Sequence, residues 1–132
     1  MPRYMLDTNM CIYLMKKQPA NVAARFAQCN AGDVVMSSIT FAELEYGLSV
    51  CAAPERERQI LDTLAEVIEV LPFDINAARA YGPIRYATRE RKADHLDKLI
   101  AAHCVSAGAT LVTNNERDFS SYPGLFIENW LN

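Results

Sequence analysis

Four acids in this chain stand where chemistry can be done: Asp7, Glu43, Asp97 and Asp118. Asp7 ends the apolar run Tyr4-Met5-Leu6, and Glu43 comes shortly after Val34-Val35-Met36-Ser37. Asn115 and Asp118 follow Ala109-Thr110-Leu111-Val112-Thr113, and Asp97 opens a helical stretch. Carboxylates brought close together repel, and a bound cation relieves that repulsion. Mg²⁺ and Mn²⁺ are hard ions that prefer oxygen ligands; Mg²⁺ takes one or two carboxylates and keeps several waters. Such an ion lowers the pKa of bound water and offsets charge on a phosphodiester, and known two-metal sites hold their ions about 3.5–4 Å apart.

Each acid also has a local structural explanation. Asp7 suits a turn after a strand. Thr40-Phe41-Ala42-Glu43 matches a capping box, in which the glutamate returns to the cap amide. Asp94 can cap the next helix and leave Asp97 as a helix-dipole acid. Asp118 falls in the first turn after a possible Asn115 cap. Other residues suit chemistry less well. Asp74 reads as a turn acid, Glu45 and Glu116 as surface residues, and His103, off the helical face of Asp97, as structural. Ser37 and Ser38 lack a nucleophile-elbow context, and there is no glycine-rich phosphate loop. Trp130 reads as packing.

Positioning these acids requires strands alternating with helices. Short strands are expected at 4–6, 34–37, 70–73, 109–113 and 125–130. Helices are expected at 11–16 and 22–29, around a break at Gln18-Pro19, and at 40–50. A further helix opens at Pro54, a favoured first position, and its apolar face comprises Ile60, Leu61, Leu64, Val67, Ile68 and Leu71. Residues 75–92 are helical in character, but Gly82-Pro83 should kink or break them. A helix at 96–107 closes on Gly108. This alternation predicts an α/β fold with a parallel sheet and helices on both faces. Ligands then bind at the carboxyl ends of the strands, where Asp7, Glu43, Asn115 and Asp118 stand. Asp97 joins them if its helix N-terminus points to the same edge.

The bulk properties fit. The 132 residues suit one domain, here 1–132, and 51% hydrophobic with 22% charged residues is an ordinary globular composition. No apolar run approaches the roughly 20 residues of a membrane span. Asp7 comes too early for a secretory apolar segment, so a cytoplasmic location is expected. Cys11, Cys29, Cys51 and Cys104 form no C-x-x-C pair and read as free thiols. A net charge of −3 and pI near 5.3 argue mildly against nucleic acid. Lys16-Lys17 and the group Arg85, Arg89, Arg91 and Lys92 are nonetheless locally basic.

Met5-Leu6-Asp7-Thr8-Asn9, Ser38-Ile39-Thr40-Phe41-Ala42-Glu43-Leu44-Glu45-Tyr46-Gly47 and Asp97-Lys98-Leu99-Ile100-Ala101-Ala102-His103 resemble PIN-domain ribonucleases. Val112-Thr113-Asn114-Asn115-Glu116-Arg117-Asp118-Phe119 and Glu128-Asn129-Trp130 do so as well. In this order, over nearly the whole chain, they are most similar to the VapC toxins of bacterial VapBC toxin–antitoxin modules. The resemblance implies an α/β/α sandwich around about five parallel strands. It also implies Mg²⁺- or Mn²⁺-dependent endonuclease cleavage of RNA, with tRNA or another translation-related RNA as target. It places metal binding on Asp7 and Asp97, completes the acidic cluster with Glu43, and puts Asp118 at the family's further acidic position. Thr8, Asn9, Thr113 and Asn115 become polar supports. The implied partners are RNA, a VapB-type antitoxin covering the groove and site, and a second copy of the chain; DNA would be reached only through the antitoxin. One stretch departs from the pattern. Arg89-Glu90-Arg91-Lys92-Ala93-Asp94-His95-Leu96 lacks the glycine and proline usual before the third acid and adds Asp94.

Two rivals differ in class. A phosphoryl-transfer hydrolase using Asp7 as nucleophile would want a second acid where Asn9 stands. A catalytically silent binding module would use the acids only as caps and would not bind Mn²⁺ through Asp7 and Asp97.

Overall fold

The computed structural model describes residues 2–132. Five parallel strands are β1 (Tyr4–Leu6), β2 (Val34–Ser37), β3 (Glu69–Leu71), β4 (Thr110–Val112) and β5 (Ile127–Glu128). They lie in the order β3-β2-β1-β4-β5. The chain moves outward from β1 through β2 to β3, then crosses back to place β4 on the other side of β1. That reversal makes the β1/β4 crevice the switch point where α/β sheets bind ligands.

Alternation along the strands divides the core. Leu6, Val34, Met36 and Val112 face one layer, built from α1 (Thr8–Lys16), α2 (Ala20–Ala27), α3 (Ser38–Val50) and α4 (Pro54–Val67). Met5, Val35 and Leu111 face the other, where α5 (Ile75–Ala87) and α6 (His95–Ala107) pack together, joined by Phe119 of α7 (Glu116–Phe119). These strands are apolar on both faces, as a parallel sheet covered twice requires.

Side-chain caps explain the helix starts. Asp7 accepts the Met10 N–H at 2.9 Å, Ser37 accepts from Ile39 at 3.0 Å, and Asp74 accepts from Ala77 at 2.9 Å. The Ser37 cap starts α3 three residues before the expected box, so Thr40 lies inside the helix and Glu43 is free of any capping duty. Pro83 does not break α5. It stands on the exposed side and removes one backbone bond, while the opposite side of the helix stays packed on α6. The helix ends at Ala87 rather than near residue 92. Beyond it the Thr88 carbonyl accepts the Arg91 N–H at 2.9 Å in a turn and Lys98 Nζ at 3.0 Å. Gly108 closes α6 at φ 69°, a left-handed turn open to glycine. All four cysteines are free, and burial pushes the Cys104 thiol up to about 12.

His103 is a structural residue inside α6. Its Nδ1 lies 2.7 Å from Ser37 Oγ, and its ring meets Phe73 edge-on at 5.5 Å. Burial pushes its pKa below the usual 6.5, only partly countered by Asp74. The unfolded chain therefore takes up this proton as pH falls through 6.5 while the folded protein resists it, so stability drops with falling pH in that window. Chemical denaturation at pH 7.5 and 5.5 should show a smaller loss for His103→Gln than for the unsubstituted chain.

Candidate active site

The carboxyl edge of β1 and β4 carries the site. Asp7 follows β1 directly; its backbone N–H donates to the Val112 carbonyl at 3.0 Å, and the residue is 5% exposed. Thr113, fully buried, stands next to it after β4 and also accepts the Asn115 N–H at 2.9 Å. Glu43 projects from the second turn of α3, and Thr8 donates its hydroxyl to Glu43 Oε1 at 2.7 Å. The helix α6 leads into the parallel β4 and so runs back across the sheet, which brings its N-terminal turn, with Asp97, to this same edge.

Asp7, Glu43 and Asp97 thus line one cavity of about 150 Å³ with Thr8, Asn9, Asn115, Ile100 and Phe119. Burial and the Glu43 charge push the Asp7 pKa up, while hydrogen bonds from Thr113 and the Met10 amide pull it down. Asp97 rises to about 6, through burial first and then through Glu43, Asp7, Asp94 and Asp118. The polar lining offers only oxygen and amide groups and no cationic side chain. That donor set fits a hard divalent ion rather than zinc. Among the described residues no three His, Cys, Asp or Glu side chains are placed to hold a metal by themselves.

Asp118 does not line the cavity. It is exposed, and Asn115 Nδ2 donates to its Oδ2 at 3.0 Å, so the amide faces inward and the acid stands behind it at the rim. Glu45 pairs with Arg58 at 2.6 Å, and Asp74 is a helix cap, both away from the site. Asp94 precedes α6 but makes no side-chain cap. It meets Arg91, Lys98 and Tyr122 instead. Burial would raise its pKa, but Tyr122, Lys98 and Arg91 outweigh that and hold its carboxyl below the usual range. The sequence reading singled out Asp94 but passed over Lys98 and Tyr122. The one available signal was a lysine amid the apolar spacing of residues 96–107.

The PIN domain model matches residues 4–125. The chain belongs to the PIN-domain family. Within that family it is 40% identical to the tRNA(fMet)-specific endonuclease VapC of Shigella flexneri, with 98% of this chain and 99% of that protein covered. It is 36% identical to the ribonuclease VapC2 of Rickettsia felis, over 96% of this chain and 97% of that one. The crystal structure of DNA-bound VapBC from Salmonella typhimurium contains a chain that superposes with a TM-score of 0.90 at 39% identity, covering 98% of this chain and 99% of that chain. The five-stranded parallel sheet between helical layers is thus the PIN architecture expected from the sequence. Among the described residues no helix is long and apolar enough to cross a membrane.

Proposed function

We propose that this PIN-domain chain is the toxin ribonuclease of a VapBC-type toxin–antitoxin module and hydrolyses RNA phosphodiester bonds, with tRNA as substrate. The observation that carries the reading is the convergence of Asp7, Glu43 and Asp97 on one cavity at the sheet's switch point. The relatives named as endonucleases of tRNA(fMet) and as ribonucleases support the substrate class.

Asp7 and Asp97 would hold Mg²⁺ or Mn²⁺, with Glu43 completing the set. When bound, the cation supplies Lewis acidity that acidifies water and offsets charge building on the phosphodiester. Thr8 fixes Glu43 through Oε1 and leaves Oε2 available to the cavity. Thr113 and the Met10 amide orient Asp7. Asn9 and Asn115 present amides that can hold phosphate oxygens or water, and Asp118 acts from the rim by holding Asn115. The three carboxylates would repel the RNA backbone, and a cation held by Asp7 and Asp97 would offset most of that charge.

An apolar groove of about 950 Å³ runs between α1, α2 and α4, lined by Leu14, Met15, Phe26, Ile60, Leu64 and Val67. Lys16, Lys17 and Arg56 border it against a single acid, Glu57. It suits an amphipathic, acidic antitoxin segment, and solved VapBC complexes are among the structures this chain resembles. DNA would then be reached through the antitoxin.

The test uses purified antitoxin-free protein and end-mapped cellular tRNA. Cleavage is expected to stop in excess EDTA and return with added Mn²⁺. Unchanged cleavage in EDTA would remove the metal-dependent mechanism. Absence of both Mn²⁺ binding and RNA cleavage would remove the nuclease assignment and favour the silent binding module.

A further inference from the structure

The segment joining α5 to α6 carries a polar cluster that the acidic cavity does not include. Lys98 follows Asp97 directly yet is 1% exposed. Its Nζ donates to the carbonyls of Thr88 at 3.0 Å and Arg91 at 2.5 Å, and stands 3.2 Å from Asp94 Oδ1. That oxygen has no well-aligned hydrogen bond, so the ammonium charge is what compensates it. Asp94 Oδ2 accepts the Tyr122 hydroxyl at 2.5 Å and lies 3.0 Å from Arg91 Nη2. Arg91 Nη1 donates to the Asp118 carbonyl at 3.0 Å and to Ser121 Oγ, and the guanidinium lies over the Tyr122 ring. Phe119 meets Tyr122 edge-on at 5.6 Å and forms part of the cavity wall.

Packing alone does not call for these charges. A neutral side chain of similar volume at position 98 would avoid desolvating an ammonium. What the charges add is direction. One end of the cluster grips the backbone at 88 and 91 and the first turn of α6, which carries Asp97; the other end grips α7, which Asn115 precedes and Phe119 ends.

We propose that Asp94 and Tyr122 are positioning residues which, with Lys98 and Arg91, form a strut fixing Asp97 against the Asn115–Phe119 wall and so set the opening into which the cation fits. This rests on the nuclease reading above. The strut touches neither substrate nor cation; it acts on where Asp97 stands. Loss of an outer-sphere partner of this kind costs about 10–100-fold in metal affinity or activity.

The test compares the full antitoxin-free chain with Tyr122→Phe and Asp94→Asn. Mn²⁺ affinity is read by electron paramagnetic resonance, and RNA cleavage is resolved into kcat and KM. Tyr122→Phe keeps the ring and removes only the hydroxyl, so it remains informative should Asp94→Asn fail to fold. Both variants are expected to bind Mn²⁺ about tenfold more weakly and to lose about tenfold in kcat with KM for RNA unchanged. Amide exchange in Glu116–Phe119 should accelerate in Asp94→Asn, although the substitution lies in a different segment. Mn²⁺ affinity and kcat within twofold of the unsubstituted chain in folded Tyr122→Phe would overturn the strut, even if the melting temperature fell. An unsubstituted chain that neither binds Mn²⁺ nor cuts RNA would sink the nuclease reading and the strut with it. An active one matched by both variants would sink the strut alone.

Discussion

Asp97→Asn should lower RNA cleavage by about 10³-fold, roughly 4 kcal/mol of transition-state stabilisation, while the metal-free protein becomes no less stable. The two halves of this expectation share one cause. Asp97 is partly buried among Glu43, Asp7, Asp94 and Asp118, and its pKa rises from 3.8 to about 6. At neutral pH its charge therefore opposes folding in the absence of a cation, and the amide keeps the shape without the charge. The sign follows from linkage: a carboxyl raised in the folded state carries its full penalty above pH 6 and none once pH has fallen below 3.8. Melting in EDTA should show the variant's advantage at pH 7 and its disappearance toward pH 4. Asp7→Asn should share the loss of activity, but its stability is less free to rise, because Asp7 also caps α1 through the Met10 amide. Cleavage by Asp97→Asn within tenfold of the unsubstituted chain in Mn²⁺ would remove this residue from the mechanism.

Lys98→Met is expected to produce the largest change in stability, about 3–5 kcal/mol, or roughly 10–20 °C in melting temperature for a chain of this size. Methionine fills the space, so the loss is not one of volume. It arises because the Asp94 carboxylate keeps only Arg91 of its two cationic partners, and because the carbonyls of Thr88 and Arg91 lose their shared donor. Adding Asp94→Asn to Lys98→Met should recover part of the loss, since the carboxylate charge that Lys98 had balanced is gone. Urea denaturation of the two single variants and the double variant measures that coupling. Additive effects would show that the two side chains do not sense each other.

The sequence was most informative where function and local structure use the same residue. Asp7 is legible because a strand ends there and a carboxylate caps the next helix. Glu43 is legible as an acid shortly after a strand and Asp97 as an acid at a helix start, although their convergence depends on the crossover that returns β4 beside β1. The Thr40 capping box was a false local match: Ser37, nearer the strand end, took the cap and left Glu43 to Thr8. Of the kink or break expected at Gly82-Pro83 the break does not occur, because single-residue propensity ignores the packing that holds α5 against α6. Asp118 stands among the acids by its place after a strand and by the resemblance, and in the structure Asn115 takes the inward position. The partners of Asp94 were not legible, since Tyr122 lies 28 residues away and nothing in either segment points to the other.

The sheet itself has very little exposed edge. Its outer strands are β3, with three residues, and β5, with two. Glu128 on β5 is already tied to Arg25 and to the Trp130 indole. Such short edges offer almost no free backbone for another chain to extend as an added strand. Side chains on the helical layers, where Tyr46, Val50, Val67, Ile75 and Tyr86 stand exposed, and Phe126 beside β5 offer more contact surface to another chain than strand addition does. Assembly is thus directed toward helix-on-helix contacts, and edge-to-edge fibre growth is disfavoured by the brevity of two strands.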